Sequence, residues 1–450
     1  MFIRACLSFA LLMAMPAWSQ VDTNSTVPAS PVSDAAPMLT PPPVSGQNYP
    51  TAPAGEARAN YLRYGLTFNT AYSDNAVGSG GGPVSEASYS LWPTIALDET
   101  TSTLHSTLTY SPGFTFYQQT SALDASDQTA SINLSYRVSP HVTLSGGDSF
   151  HKSSSVFNEP DNAPGTVSGG AQVPNLSVVA PIAEVLSNSG NVGATYQFAA
   201  NGMVGASGTF TNLHYPNPAQ VSGLGDSSSQ GASAFSSLRV SKMHYFGVNY
   251  QYQRLLAYPT EGLNETQTHA VLFFYTLYAT PTLSVSFFGG PQHSDTVQPP
   301  LPPLNIQLPA ARAWTPAAGT SLSWQGRLNS VAVSYKHIIS GGGGLFGAVH
   351  LDSASASIQQ QIARSLSGSV AASYTQNNVL GSPLFGGATD GHTVTGTASL
   401  QKQFGEHINV QLGYTRLHQN YSNVAVLSTN PDTNRGFVSV SYQFSRPLGR

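Results

Sequence analysis

The chain has 450 residues, a formal net charge of −4, 40% hydrophobic residues and only 8% charged residues. Soluble domains carry about 25% charged residues, so this composition argues against an ordinary soluble protein. The 21 Tyr and 20 Phe argue against disorder over most of the chain, and the lack of a basic block argues against nucleic acid as a partner.

Residues 1–19 have the pattern of a signal peptide. Arg4 provides a positive start, Ala5 to Met15 form an apolar centre, and Ala17-Trp18-Ser19 is a small-x-small cleavage pattern. Cys6, the single cysteine, lies inside this segment. The exported chain is therefore expected to contain no disulfide, no metal-thiolate site and no cysteine nucleophile.

Residues 20–59 are rich in Pro, Ala, Ser and Thr, with three consecutive prolines at positions 41–43. They show no apolar periodicity, which is typical of an extended, disordered segment. We interpret them as a Pro-rich periplasmic linker. Its role is open between a spacer or tether and a plain unstructured leader.

From residue 60 onward, apolar and polar residues alternate with a period of two, which is typical of strands with two different faces. The stretches 62–72 and 130–138 show the pattern well. Others are 89–97, 104–116, 192–198, 246–252, 331–335, 394–400, 408–414 and 438–444. Because no run approaches the ~18 apolar residues of a transmembrane helix, strands closed into a barrel are the membrane-compatible architecture.

The connections between these stretches alternate between tight and long, as in barrels whose every second loop faces the periplasm. Tight ones include 98–101, 139–141, 280–281 and 405–407, and long ones include 153–187, 216–229, 293–312 and 422–434. The sequence predicts an all-β fold, a transmembrane antiparallel up-and-down β-barrel of about 18 strands (16–18). The barrel is placed at residues 60–445 and a C-terminal tail at 446–450.

The last regular stretch, Gly436 to Phe444, puts Val438, Val440, Tyr442 and Phe444 on one face. It resembles the closing strand of bacterial outer-membrane barrels, in which an aromatic end is recognised by the assembly machinery. The resemblance implies that Tyr442 and Phe444 form an assembly signal. Closure further predicts that this strand pairs with Tyr61 to Ser73.

Three stretches carry a resemblance to a known family: GLTFNTAYSDNAV (Gly65 to Val77), YSPGFTFYQQ (Tyr110 to Gln119) and INLSYRVSPHVTLSGGDSFHKSS (Ile132 to Ser154). They are similar to outer-membrane β-barrel porins that often occur in gene neighbourhoods for exopolysaccharide production. The resemblance implies an outer-membrane location of the Gram-negative type, a channel-like shape and a link to polysaccharide. The long 153–187 segment and the tail after Phe444 depart from the family pattern.

The polar face of the strands is expected to line the lumen. Candidate lumen-facing residues are Arg63, Arg137, Lys336, Asn249, Gln251, Asn409 and Gln411. Because hydroxyl and amide groups outnumber charges, this lining suits small polar solutes, with saccharides as one candidate class. We expect a passive porin-like channel, or alternatively a non-conducting structural or polysaccharide-secretion accessory barrel whose loops plug the lumen. The expected partners are outer-membrane lipid and lipopolysaccharide, the assembly machinery and small polar solutes.

The sequence contains no recognisable motif for catalysis, metal binding or phosphate binding. Gly147-Asp148-Ser149 resembles the GDS block of a lipase and esterase family, but Asp390 and His392 have the wrong spacing for that family's Asp-x-x-His block. The twelve histidines lack metal-ligand spacing. Gly341 to Gly344 lack the Lys-Ser/Thr of a phosphate loop and are predicted to form a flexible loop. The sequence predicts a non-enzyme without catalytic, cofactor or metal residues.

Overall fold

The computed structural model describes residues 60–76, 84–154, 183–217, 224–258, 262–298, 310–345, 347–380, 390–422 and 432–447. The predicted signal peptide, the predicted linker and most of the 153–187 connection lie outside these residues. No helix in the described ranges is long and apolar enough to cross a membrane.

Eighteen strands account for nearly all of the described chain, together with one 3₁₀ turn at Ser121–Leu123. The strands are β1 (Tyr61–Ser73), β2 (Glu86–Thr100), β3 (Leu104–Tyr117), β4 (Ala125–Ser139), β5 (Val142–Ser153), β6 (Val185–Ala199), β7 (Gly202–His214), β8 (Asp226–Arg239), β9 (His244–Tyr258), β10 (Asn264–Thr280), β11 (Leu283–Val297), β12 (Ala311–Gln325), β13 (Asn329–Gly341), β14 (Ala348–Ala363), β15 (Leu366–Val379), β16 (Gly391–Phe404), β17 (Ile408–Tyr421) and β18 (Asp432–Pro447).

Each strand pairs antiparallel with the next one in the chain, and β1 also pairs with β18. Tyr64 lies opposite Phe444 and Ser73 lies opposite Arg435 in this closing pair. The sheet therefore has no free edge strand. The structure confirms the predicted closed, antiparallel β-barrel, its strand number and the pairing of its first and last strands.

The two ends of the barrel differ in their connections. Eight tight turns join β2–β3, β4–β5, β6–β7, β8–β9, β10–β11, β12–β13, β14–β15 and β16–β17, all at the end where β1 begins and β18 finishes. We call this the tight-turn end. The strand ends that the remaining connections join, among them the connections 154–184 and 298–310, lie at the opposite end, which we call the long-loop end.

The period-two pattern separates an apolar outer face from a mostly polar inner face, because successive side chains of a strand point to opposite sides. On β1, the outward Tyr64, Leu66, Phe68 and Tyr72 are 43–58% exposed. Asn69, on the inward face of the same strand, is buried. Similar outward rows on the other strands give the barrel a continuous apolar exterior.

One part of the wall departs from this regularity. The β12–β13 ladder runs from the turn only as far as Ala318 opposite His337. Continuing this register would place Ala317 opposite Ile338 and then Pro316 opposite Ile339. Pro316 already pairs with Pro291 of β11, and two prolines can only form a non-hydrogen-bonded pair, so the nitrogen of Pro316 points toward β13 without a proton to donate.

The end of β13 consequently does not pair with β12 and forms its hydrogen bonds with other residues. The backbone N–H of Ile339 donates to Oε1 of Gln292, an inward side chain of β11, at 3.2 Å. Beyond this point β13 pairs with β14 alone, up to Gly341 opposite Ala348. The tip of the β13–β14 hairpin, which includes Gly342 to Leu345, therefore lies beyond the paired part of β12 and β13.

Candidate functional site: the barrel lumen

Pairs of hydroxyl groups on neighbouring strands cover much of the inner wall. Oγ1 of Thr94 lies 2.9 Å from Oγ of Ser111, and the Oγ atoms of Ser207 and Ser233 are 2.7 Å apart. Other pairs are Thr211–Ser229, Thr266–Thr296, Thr276–Ser286, Ser334–Ser355, Ser369–Ser399 and Thr397–Thr415. These bonds satisfy the inward polar atoms between strands and leave a neutral, wettable surface.

The strand registers place every candidate lumen residue on the inward face. Arg63 lies 4.0 Å from Asp98 at the tight-turn end, where Arg137 also lies. Lys336 lies further along the barrel axis, on β13. The amide candidates Asn249, Gln251, Asn409 and Gln411 lie on β9 and β17, and Asn249 and Gln411 are buried. That solutes contact these residues stays a prediction.

Tyr442 and Phe444 lie on the outward face of β18, close to the tight-turn end, and both are exposed. The ring of His407 lies near both, with centroid separations of 5.8 Å to Tyr442 and 6.3 Å to Phe444. Tyr442 and Phe444 therefore belong to the outward-facing aromatic residues near the tight-turn end. The assembly role of the two residues stays a prediction.

At the long-loop end, the tip of the β13–β14 hairpin is held in place by specific contacts. The backbone N–H of Gly225 donates to the carbonyl of Gly344 at 2.7 Å, and the hydroxyl of Tyr215 donates to the carbonyl of Gly343 at 3.4 Å. Gly343 and Gly344 have φ values of 63° and 105°, which glycine tolerates best. The predicted flexible loop at Gly341 to Gly344 is therefore a hydrogen-bonded, buried turn.

Leu345 follows these glycines and is 1% exposed. It belongs to a set of buried apolar side chains that we call the lumenal apolar cluster. The cluster comprises Ala183, Leu213, Tyr215, Leu224, Ala270, Leu272, Phe274, Phe288, Ala317, Ile338, Leu345, Val349, Leu351 and Tyr421. Burial in this cluster raises the pKa of Tyr215, and the nearby carboxylate of Asp226 adds to the effect.

The lumenal apolar cluster differs from the polar lining that the sequence predicts for the lumen. Phe273 and Phe287 are exposed, whereas their neighbours Phe274 and Phe288 are buried on the inward face. Two adjacent aromatics on a strand must point to opposite sides, so the doublets in β10 and β11 were a signal in the sequence for apolar residues inside. Trp92, on the inward face of β2, is also buried and lies against Gly113.

At the tight-turn end, a cavity of about 350 Å³ opens on the inner side of β12 to β16. Its lining is Gln325, Gly326, Arg327, Leu328, Asn329, Ser330, Gln359, Gln361, Arg364, Ser365, Leu366, Ser367, Gln401 and Gln403. Five glutamines and two arginines converge there without a carboxylate in the lining. We call it the turn pocket. The sequence pattern did not indicate it, because its residues come from two separate turns and five strands.

The residues of the GDS stretch do not assemble with those of the Asp390-Gly391-His392 stretch. Ser149 is on β5, where its hydroxyl donates to the carbonyl of Ser189 at 3.4 Å, whereas His392 is on β16 and lies beside His418. Within the described residues, no group of three or more His, Cys, Asp or Glu side chains could hold a metal ion. The non-enzyme interpretation stays a prediction.

No model of a known protein family matches the sequence, and no curated protein matches it significantly. The resemblance to exopolysaccharide-associated porins therefore stays a prediction. Among solved structures, the chain is similar to OccAB4 of Acinetobacter baumannii (11% identity, 86% of this chain and 99% of that one, TM-score 0.42). It is also similar to the outer membrane protein OpdK of Pseudomonas aeruginosa (12%, 86% and 99%, TM-score 0.41) and to the alcaligin outer-membrane receptor FauA of Bordetella pertussis (11%, 85% and 76%, TM-score 0.38). These likenesses are distant and concern the barrel fold alone.

Proposed function

We propose that the protein is a porin-like channel of the bacterial outer membrane that passes small polar solutes without an energy source. The observation that carries this proposal is the two-sided wall of the closed barrel, with an apolar outer face and a hydroxyl-lined inner face. So large an exposed apolar surface is unusual in soluble proteins and suits a lipid environment. In this setting the tight-turn end faces the periplasm and the long-loop end faces outside.

The size and lining of the barrel favour passage of water-soluble molecules. Barrels of about 16–18 strands leave room for an aqueous channel. The paired Ser and Thr hydroxyls of the inner wall offer hydrogen bonds without strong charge, which suits hydroxyl-rich solutes such as saccharides. The saccharide preference rests on this lining and on the resemblance to exopolysaccharide-associated porins.

Single-channel recording on the refolded, purified protein tests the proposal. A heat-shift gel first establishes that the barrel is folded, and heat-unfolded protein serves as the control. We expect discrete conductance steps and swelling of proteoliposomes in small neutral sugars. A folded barrel that neither conducts nor supports swelling would refute a passive channel.

The lumenal apolar cluster favours a second candidate, the non-conducting accessory barrel. Leu345 and its neighbours fill part of the lumen near the long-loop end, and they could close it. A silent wild-type barrel that begins to conduct when the hairpin tip is loosened would support this second candidate over an open porin.

A further inference from the structure

We propose that the turn pocket binds the anionic group of a small solute, a carboxylate or a phosphate. This inference rests on the proposed channel function and names a class of solute for it. Two unpartnered arginines and a set of inward amides at one mouth of the barrel carry the argument.

Arg327 and Arg364 supply the positive charge of the turn pocket. Arg327 lies in the β12–β13 turn and Arg364 in the β14–β15 turn. Among the residues that the structure describes, neither guanidinium has an ion pair or a hydrogen bond, and the pocket lining contains no Asp or Glu. Both charges are therefore available to a ligand.

The two turns are fixed relative to each other by backbone hydrogen bonds that continue the sheet. The N–H of Gln361 donates to the carbonyl of Leu328 at 2.6 Å, which ties the β12–β13 turn to β14. The N–H of Gln403 donates to the carbonyl of Ser365 at 2.8 Å, which ties the β14–β15 turn to β16. Because the backbones are held, the arginines are presented from defined positions.

The amides add neutral hydrogen-bonding groups beside the charges. Gln359, Gln361, Gln401 and Gln403 share the inward face with Ser367. Nε2 of Gln361 donates to the carbonyl of Arg364 at 3.2 Å, which orients that side chain along the pocket wall. Amides bind hydroxyl groups as donors and acceptors, so the pocket suits an anion that also carries hydroxyls.

The rest of the tight-turn end reinforces the positive potential. Arg63, Arg137 and Arg239 lie on the inward faces of β1, β4 and β8, so basic side chains are distributed around the mouth. In the described part of this end, the acidic residues are Asp98, Glu99 and Glu406, and Asp98 is shared between Arg63 and His105. A ring of one sign of charge is the usual source of ion preference in a pore.

The inward acidic residues Glu86 and Asp127 lie near the long-loop end, and each accepts hydrogen bonds from the protein. Glu86 accepts hydrogen bonds from the N–H of Gln119 at 2.8 Å and from Oγ1 of Thr120 at 3.0 Å. Asp127 accepts from the N–H and the hydroxyl of Ser154, both at 2.6 Å. These buried carboxylates lie at the opposite end of the barrel from Arg327 and Arg364, so distance weakens their effect on the turn pocket.

The chemistry of the guanidinium selects the ligand class. Its planar fork of N–H donors matches the paired oxygens of carboxylates and phosphates. A cavity of about 350 Å³ is within the range that binds small molecules. Because the glutamines belong to the inward faces of the strands, the ligand is a dissolved solute in the lumen, and a lipid headgroup outside the wall would not reach them.

Calorimetric titration of the refolded barrel in detergent, at low ionic strength, tests the pocket directly. The probes are citrate for carboxylates and pyrophosphate for phosphates, and the stronger binder identifies the preferred group. We expect Arg327→Gln and Arg364→Gln each to weaken binding about tenfold, which corresponds to about 1.4 kcal/mol, since each removes a charge-assisted hydrogen bond. The double variant should lose about a hundredfold.

The matched control removes the same number of charges from the outside of the same end. Lys402 and Arg446 lie on the outward faces of β16 and β18. Lys402→Gln with Arg446→Gln should change the affinity less than twofold. No binding of either probe to the wild type, or an equal loss in the control, would overturn the inference.

Bilayer recording separates this inference from the channel proposal. A KCl gradient across the bilayer should show a preference for chloride that falls in the arginine double variant and persists in the control. A channel that conducts without anion preference and binds neither probe refutes only the pocket. A silent barrel that binds citrate or pyrophosphate through the arginines refutes only the open channel.

Discussion

Replacing Leu345 with alanine should loosen the hairpin tip without unfolding the barrel. Leu345 lies beyond the β13–β14 ladder, which ends at Gly341 opposite Ala348, so its loss removes no strand pairing. Its side chain is almost fully buried in the lumenal apolar cluster. The change therefore acts on the seating of the tip.

The size of the effect follows from what holds the tip. Truncating a buried leucine to alanine costs about 2–5 kcal/mol. The remaining tip contacts, from Gly225 and Tyr215, contribute about 1 kcal/mol each. A loss of about 3 kcal/mol changes the ratio of seated to unseated tips by roughly a hundredfold, so the open form should become observable.

Single-channel recording measures this change. Leu345→Ala should show frequent transitions to a larger conductance, whereas the wild type should remain in one level for long periods. Leu322→Ala is the matched control, because it removes the same atoms from the exposed outer face of β12. Traces of folded Leu345→Ala that match the wild type would refute the idea that this side chain keeps the tip seated.

Two further predictions concern assembly and packing. Tyr442→Ala combined with Phe444→Ala should lower the amount of protein in the outer membrane while leaving the conductance of refolded protein unchanged, and normal membrane levels would contradict an assembly signal. Gly113→Ala should lower the midpoint of the heat-shift transition, because the added Cβ would lie 2.5 Å from the ring of Trp92. Overpacking of this kind costs about 1–3 kcal/mol, whereas Gly396→Ala has open space around its Cβ and should be nearly neutral; equal midpoints would contradict the contact with Trp92.

Most of the barrel could be predicted from the sequence because its determinants are local. A strand with two different faces needs only alternation, and 62–72 or 438–444 show it within a few residues. Tight and long connections then fix which strands are neighbours, since antiparallel hairpins pair consecutive segments. The pairing of Tyr61–Ser73 with the last strand followed from closure alone.

Contacts between distant segments required the tertiary structure. The position of the hairpin tip depends on two contacts that a period-two pattern cannot predict. Pro316 has no N–H to donate to β13, and Gln292 accepts the hydrogen bond of the Ile339 N–H instead. The lumenal apolar cluster joins strands from β6 to β17, although the aromatic doublets 273–274 and 287–288 signalled its presence.

The sequence by itself determined a barrel, a strand number of 16–18 and a two-sided wall, because alternation and turn spacing act between neighbouring residues. Only the tertiary structure decided what occupies the lumen. The inward Leu345 and the pocket of Arg327 and Arg364 bring together residues from several strands and turns, and those positions are set by closure and register across the whole sheet.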